Sequence, residues 1–179
     1  MLFLDIYLSS LSADDYIKIK HKLVPNATRF PLLNWGLLQN DISVKARNSN
    51  ADLNKLQELA TKFQWNANIE SIVNQKYDAI VVSDSNQIIY WVNDGFTNMT
   101  GYTSEFAIGR TPKFLQGSNT SVAARKNIRE HIIAGEIVTE SIINYRKNKE
   151  EYHCRVQVIP IRNRQKEVTH FIAFEKEIA

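Results

Sequence analysis

"YDAIVVSDSNQIIYWVN", residues 77–93, holds two β-branched runs on either side of Asp84, Ser85 and Asn86. Branched side chains favour extended backbone, and short polar residues bend the chain by bonding their own backbone, so this stretch reads as a β-hairpin. Downstream the period changes twice. "DGFTNMTGY", with Asn93 as N-cap, and "TSEFAIG", closed by Gly109, read as short helices. After a "TPKFLQGSNT" loop, "SVAARKNIREHIIAGE" reads as a longer helix ending at Gly135. "IVTESIINYR", "EYHCRVQVIPI" and "EVTHFIAFEKEI" follow, separated by "KNKE" and "RNRQK", which predicts three antiparallel strands in a meander. Two strands, several helices and three strands define an α+β domain in which one five-stranded antiparallel sheet carries helices on one face.

Upstream of the hairpin the chain is helical in character. "SADDYIKIKHKLV", residues 12–24, opens on Ser12 as N-cap, places acids in its first turn and lysines later, and stops at Pro25. "PLLNWGLLQ", residues 31–39, reads as one short helix starting at Pro31. In "ADLNKLQELATKFQW", residues 51–65, Leu53, Leu56, Leu59, Ala60 and Phe63 fall on one stripe, with Asn54, Lys55, Gln57, Glu58 and Lys62 opposite. A stripe of this kind must cover something: either the chain's own sheet, whose second face has no other cover, or the same stripe in a second copy. The expectation is that the N-terminal helices join the sheet and support a homodimer. The division expected is a helical extension over 1–75 and the sheet domain over 76–179.

Composition narrows the classes. The chain has 179 residues, enough for one domain plus an extension. Its 22 Lys and Arg stand against 19 Asp and Glu, giving a net charge of +3 with the two signs interspersed, so no nucleic-acid partner is expected. No apolar run approaches a membrane span, and "MLFLDIYLSS" lacks a basic segment and is broken by Asp5, so neither a membrane partner nor a secretory signal is expected. A single cysteine, Cys154, excludes an internal disulfide and agrees with a cytoplasmic location. His21, His131, His153 and His170 show no metal spacing, and neither a phosphate-cradling glycine loop nor a catalytic carboxylate pair is present, so an enzyme is not expected.

The order of elements, with "NDGFTNMTGYTSEFAIGRTPKFLQG" in the middle and "INYRKNKEEYHCRVQVIPIRNRQKEVTHFIAFEKE" at the end, resembles a PAS domain. More closely it is similar to the light-oxygen-voltage (LOV) branch, whose loop usually runs Gly-Arg-Asn-Cys-Arg-Phe-Leu-Gln-Gly. The resemblance covers about residues 77 to 177. It implies a sensory module, and in the LOV branch a flavin whose ring accepts a cysteine thiol after blue-light absorption. Here Pro112 stands in the cysteine's place, and proline offers no nucleophile and no backbone donor. On this resemblance Gln116 and Asn144 match ring-binding polar residues and Arg129 matches one phosphate arginine. Lys113 stands for the other, keeping the charge without the bidentate fork. Thr111 and Cys154 replace asparagines, and Glu175 replaces a glutamine; an amide donates and accepts, whereas an ionised carboxylate only accepts. No cofactor is therefore expected, with FMN as the alternative.

Read without the resemblance, the same residues leave choices. Gln116 either bonds loop backbone or meets a ligand. Asn144 alternates onto the face of Ile142, where a buried amide needs partners, and Arg129 is either a surface ion-pair donor or an anion clamp. Cys154 alternates with His153, so the two point to opposite faces and cannot act together; the thiol is expected to pack as a small hydrophobe. Glu175 shares the inner side with Phe171 and Ala173, and is expected to sit in water near the strand end or, if buried, to pair with Lys113 or Arg129. The chain ends at Ala179, almost as the last strand ends, so no effector domain is expected to follow. A stand-alone sensory module would transmit by contact, to a signalling protein partner or by association. The alternative is a sensor of a small molecule, flavin or another, held without a covalent bond.

Overall fold

The computed structural model describes residues 50–178, all within one compact unit that spans Val44–Ala179. The helices expected over 12–24 and 31–39 lie outside the described residues. Element order is α1 (50–62), α2 (Ile69–Val73), β1 (Ala79–Asp84), β2 (Ile89–Val92), α3 (Asp94–Thr100), α4 (Ser104–Ala107), a 3₁₀ turn (Pro112–Leu115), α5 (Val122–Ala134), β3 (Val138–Tyr145), β4 (Glu151–Arg162) and β5 (Val168–Glu177). The five strands form one antiparallel sheet in the order β2-β1-β5-β4-β3, so the first hairpin and the later meander join through the β1–β5 pair.

Local chemistry sets the boundaries. Asp84 Oδ1 accepts the N–H of Asn86 at 2.9 Å and of Ile88 at 2.8 Å, and Gln87 takes the left-handed conformation, which turns β1 into β2. Asn93 caps α3 by accepting from Phe96 N–H, Thr103 caps α4 and Ser121 caps α5. Gly135 ends α5 at φ 65°, a conformation that costs a side-chain-bearing residue but not glycine. Helix α4 stops at Ala107, and Gly109 serves β2 instead: its N–H bonds Ile89 O, and Ile89 N–H bonds Arg110 O, both at 2.8–2.9 Å, so the loop covers the free edge of β2.

Two apolar layers flank the sheet. On the inner face, Ala79, Val81, Tyr152, Cys154, Val156 and Phe171 meet Phe96, Met99, Ala107 and Leu115 from the helices between β2 and β3. On the outer face, Ile80, Val82, Ile161, Ile172 and Phe174 meet Leu56 and Leu59 of α1, Trp65, and Ile69 and Val73 of α2. Strand alternation delivers this two-sided pattern, since neighbours such as Val81 and Val82 face opposite ways. The stripe expected on residues 53–63 is therefore spent on the chain's own sheet. Leu56 and Leu59 are fully buried, and each such leucine contributes about 1.5–3 kcal/mol. That burial takes away the reason the stripe offered for a dimer seam.

Polar contacts fasten α1 as well. Asp52 falls on the same helical side as Leu56 and Leu59 and is buried; its Oδ2 accepts from Asn93 Nδ2 at 2.8 Å and from the Tyr77 hydroxyl at 3.1 Å. Burial raises the Asp52 pKa against the lowering effect of these two bonds. Just past α1, Trp65 Nε1–H donates to Nδ1 of buried His170 on β5 at 3.1 Å, with Phe63 packed on the imidazole.

Candidate functional site

A cavity of about 710 Å³ opens between α5, the 3₁₀ turn at Pro112–Leu115 and the inner face of β1, β3, β4 and β5. Its apolar wall is Val81, Leu115, Ile142, Val156, Val158 and Phe171, with Ile128 and Ile132 from α5. This volume falls in the range of small-molecule sites, as does the mixture of an apolar wall with a few polar groups.

Five of the six residues singled out from the sequence line it: Lys113, Gln116, Arg129, Asn144 and Glu175. Lys113 and Gln116 arrive through the 3₁₀ turn, which Pro112 starts with its fixed φ, and Pro112 also lines the cavity. The loop beyond is pinned to β3: Thr120 Oγ1 donates to Ile143 O at 2.7 Å and accepts from Gly117 N–H at 2.8 Å. At Gly117 a Cβ would fall 2.3 Å from the Tyr145 ring, so only glycine lets the loop lie this close. The Gln116 side chain makes no hydrogen bond to protein among the described residues, which leaves its amide to the cavity. Arg129, with Arg125 and Lys126, comes from the cavity-facing side of α5; among the described residues Lys113, Arg125 and Arg129 have no ion pair, and Lys126 has only a 3.7 Å contact to Glu130.

The sixth residue, Cys154, is fully buried and does not line the cavity; its Sγ lies 4.0 Å from Glu175 Oε2. Burial, and then the Glu175 carboxylate, push its pKa up, so the thiol stays protonated and unreactive. His153 is exposed on the opposite side of β4.

Glu175 departs from expectation. It is not in water near the strand end but 5% exposed, and it pairs with neither Lys113 nor Arg129. The reason is its place in the sheet. Glu175 sits opposite Ala79 on β1 and Val156 on β4, while two residues later Glu177 N–H still bonds Asp78 Oδ2 and Ile178 N–H bonds His153 O, so the sheet runs on past it. Burial alone pushes its carboxyl up to about 7. Beside it, Tyr152 has a buried hydroxyl with no hydrogen bond of good geometry, although Asn144 is its partner in the β3–β4 register. Burial first, then the Glu175 charge, raise the Tyr152 pKa, with a weak approach of the Asn144 amide acting the other way. The site thus has a polar floor of Asn144 and Glu175 that the protein leaves largely unbonded, and a cationic rim.

Sequence reasoning missed the Asp52–Asn93–Tyr77 cluster and the Trp65–His170 pair. The first was detectable: Asp52, Leu56 and Leu59 share the helical spacing of a buried face, which marks a carboxylate in need of donors. The second joins residues 105 apart and leaves no local trace. Among the described residues no group of three or more His, Cys, Asp and Glu side chains could hold a metal ion, and no helix is long and apolar enough to cross a membrane.

Known proteins resemble the chain. It is 29% identical over 148 residues to Phototropin-1A of Oryza sativa subsp. japonica, covering 80% of the chain and 16% of the relative. It is 31% identical over 90 residues to the blue-light-activated histidine kinase of Brucella canis, covering 50% of the chain and 18% of the relative. The chain thus spans less than a fifth of the length of these relatives. Among solved structures, the LOV domain of the Erythrobacter litoralis blue-light activated histidine kinase superposes with a TM-score of 0.55 at 26% identity, over 59% of this chain and 99% of that one. The light-state LOV structure of Aureochrome1 superposes with 0.56 at 24% identity, over 57% and 83%, which speaks for the fold. The model for the PAS domain matches residues 78–179, the hairpin, the helices that wall the cavity and the three-stranded meander together, and the chain belongs to the PAS domain family.

Proposed function

We propose that this PAS domain is a sensory module that signals through contact with a partner protein, and that it works without a covalent flavin–cysteine bond. Its cavity holds a small molecule non-covalently. The observation that carries this reading is the placement of the lone thiol. Cys154 lies behind Glu175, protonated and outside the cavity lining, while the loop position that resembles the LOV cysteine is Pro112, which has no nucleophile. A reactive sulfur at the cavity surface is the one group an adduct needs, and neither residue supplies it.

The cavity residues fit a flavin in part. Asn144 and Gln116 offer amides, and Lys113, Arg125 and Arg129 offer charge to a phosphate; these would hold FMN, whose redox chemistry is the cofactor's own. Glu175 fits a carbonyl edge only when protonated: above about pH 7 its carboxylate merely accepts and would repel that edge, whereas below it the O–H can donate. The function so read is binding and relay, not catalysis, and a reduced lone cysteine suits the cytoplasm. The expected homodimer stays in the proposal, through a contact surface other than Leu56 and Leu59, which the chain's own sheet covers.

The test is spectroscopy and mass spectrometry on purified full chain, as isolated and after incubation with FMN, in the dark and under blue light. The expected result is an unchanged protein mass under illumination. A light-dependent gain of one flavin on Cys154 would overturn the reading.

A further inference from the structure

The outer face of the sheet carries a conflict of charge. Arg155 on β4 and Lys176 on β5 are direct cross-strand partners, so their side chains leave the same face side by side, and that face is the one Phe174 occupies two residues before Lys176. Like charges placed opposite each other destabilise an antiparallel pair. An interposed acid would relieve the repulsion, yet the acids next to these residues are engaged elsewhere. Asp78 Oδ2 accepts from Glu177 N–H at 3.1 Å, Glu177 Oε1 accepts from Arg146 Nη2 at 2.6 Å, and Glu175 faces the inner cavity. Among the described residues neither Arg155 nor Lys176 has an ion pair. A third cation joins them. The linker between α2 and β1 brings up Lys76, and these three line a second cavity, of about 210 Å³, with Gln75, Gln157 and buried Phe174; no carboxylate lines it. Gln75 is held there by its Nε2–H bond to Ile72 O at 3.1 Å.

We infer that this outer-face cavity is a binding site for a phosphate-like oxyanion, inorganic phosphate or a phosphomonoester group, whose oxygens meet the Arg155 guanidinium and the Lys76 and Lys176 ammonium groups. Charge and size select the class. Three cations from three separate segments exceed what one carboxylate neutralises, whereas a phosphate dianion offers a pair of oxygens to the arginine fork and others to the lysines. The volume lies below the roughly 300–1,000 Å³ of sites that enclose whole organic ligands, so it suits a charged group rather than a cofactor. Occupancy also removes the repulsion between Arg155 and Lys176, which couples binding to the stability of the β4–β5 pair. The site lies across the sheet from the cavity walled by α5 and does not depend on what that cavity holds.

The probes are inorganic phosphate and N-acetyl phosphoserine amide, titrated into the full ¹⁵N-labelled chain at constant ionic strength in chloride, with amide shifts read by NMR. Shifts should concentrate at Lys76, Arg155, Gln157 and Lys176. Arg155→Gln and Lys176→Gln should each weaken binding about tenfold, the size of one charge-assisted contact. Arg164→Gln, the same change of net charge on an exposed turn, and Arg129→Gln, at the inner cavity, should leave these shifts and affinities within about twofold. Thermal unfolding verifies that each variant is folded, and phosphate should raise the midpoint of the parent more than that of Arg155→Gln. Tighter binding of the phosphoserine probe than of inorganic phosphate assigns the group to a phosphorylated side chain of a partner protein; equal binding assigns it to a free phosphate. An absence of shifts at Lys76, Arg155 and Lys176, binding undiminished in the double variant Arg155→Gln/Lys176→Gln, or an equal loss in Arg164→Gln would overturn the inference.

Discussion

The Asn93 side chain is shared between two structural layers: its Nδ2 donates to Asp52 on α1 at 2.8 Å, while its Oδ1 accepts from Ile80 N–H at 2.9 Å and Phe96 N–H at 3.1 Å. One amide therefore caps α3, fastens β1 and holds the helix that covers the outer face of the sheet. Asn93→Ala should cost about 2–4 kcal/mol, beyond the ~1 kcal/mol of a lost cap, because the buried Asp52 carboxylate also loses a donor. Urea unfolding of the single and double variants with Asp52→Ala should give a coupling above about 0.5 kcal/mol; additive losses would mean the contact carries no energy of its own.

Glu175 makes stability depend on pH in a predictable direction. Its folded pKa, about 7, is raised above the ordinary 4.5, so the folded state holds a proton that the unfolded state has released. Stability is then fully present below about 4.5 and is lost as pH rises through 7, by on the order of 3 kcal/mol from this group. Glu175→Gln should lack that loss. Unfolding of both proteins between pH 4.5 and 8 checks it, and a constant difference between them would count against burial as the cause.

His170 works in the opposite sense. Burial lowers its pKa from 6.5, and the Trp65 indole needs Nδ1 as a neutral acceptor. Stability from this pair is complete above about 6.5 and declines as pH falls through the depressed value. Tryptophan fluorescence during mild acidification should report Trp65 changing environment before global unfolding, and Trp65→Phe should abolish that early signal.

Gly95 tolerates no side chain. A Cβ there would lie 1.9 Å from Asp78 O, a backbone atom with no freedom to retreat. Gly95→Ala is expected to destabilise by about 3 kcal/mol or more, through strain rather than through lost helix propensity, which alone would favour alanine. A variant as stable as the parent would show that α3 can shift without penalty.

The fold was legible because its signals are local and agree. The Asp84 turn, the Asn93 and Ser121 caps and the Gly135 stop each sit where residue chemistry puts them, and the alternation of Val81 and Val82 or Phe171 and Ile172 already implied two covered faces. The cavity residues Gln116, Asn144 and Arg129 were legible through a family's spacing. Glu175 was not: its burial is decided by β1, more than ninety residues upstream, closing over it on one side while β4 closes on the other. Whether a carboxylate near a strand end is wet depends on the length of its neighbours, which no local pattern encodes.

Phe174 and Glu175 are consecutive on β5 and point in opposite directions, the first against Tyr77 and the α1 layer, the second into the cavity. The two compartments are thus separated by a partition one peptide thick. A single peptide thus joins the cavity wall to the packing beneath α1, and the backbone of β5 is common to both compartments.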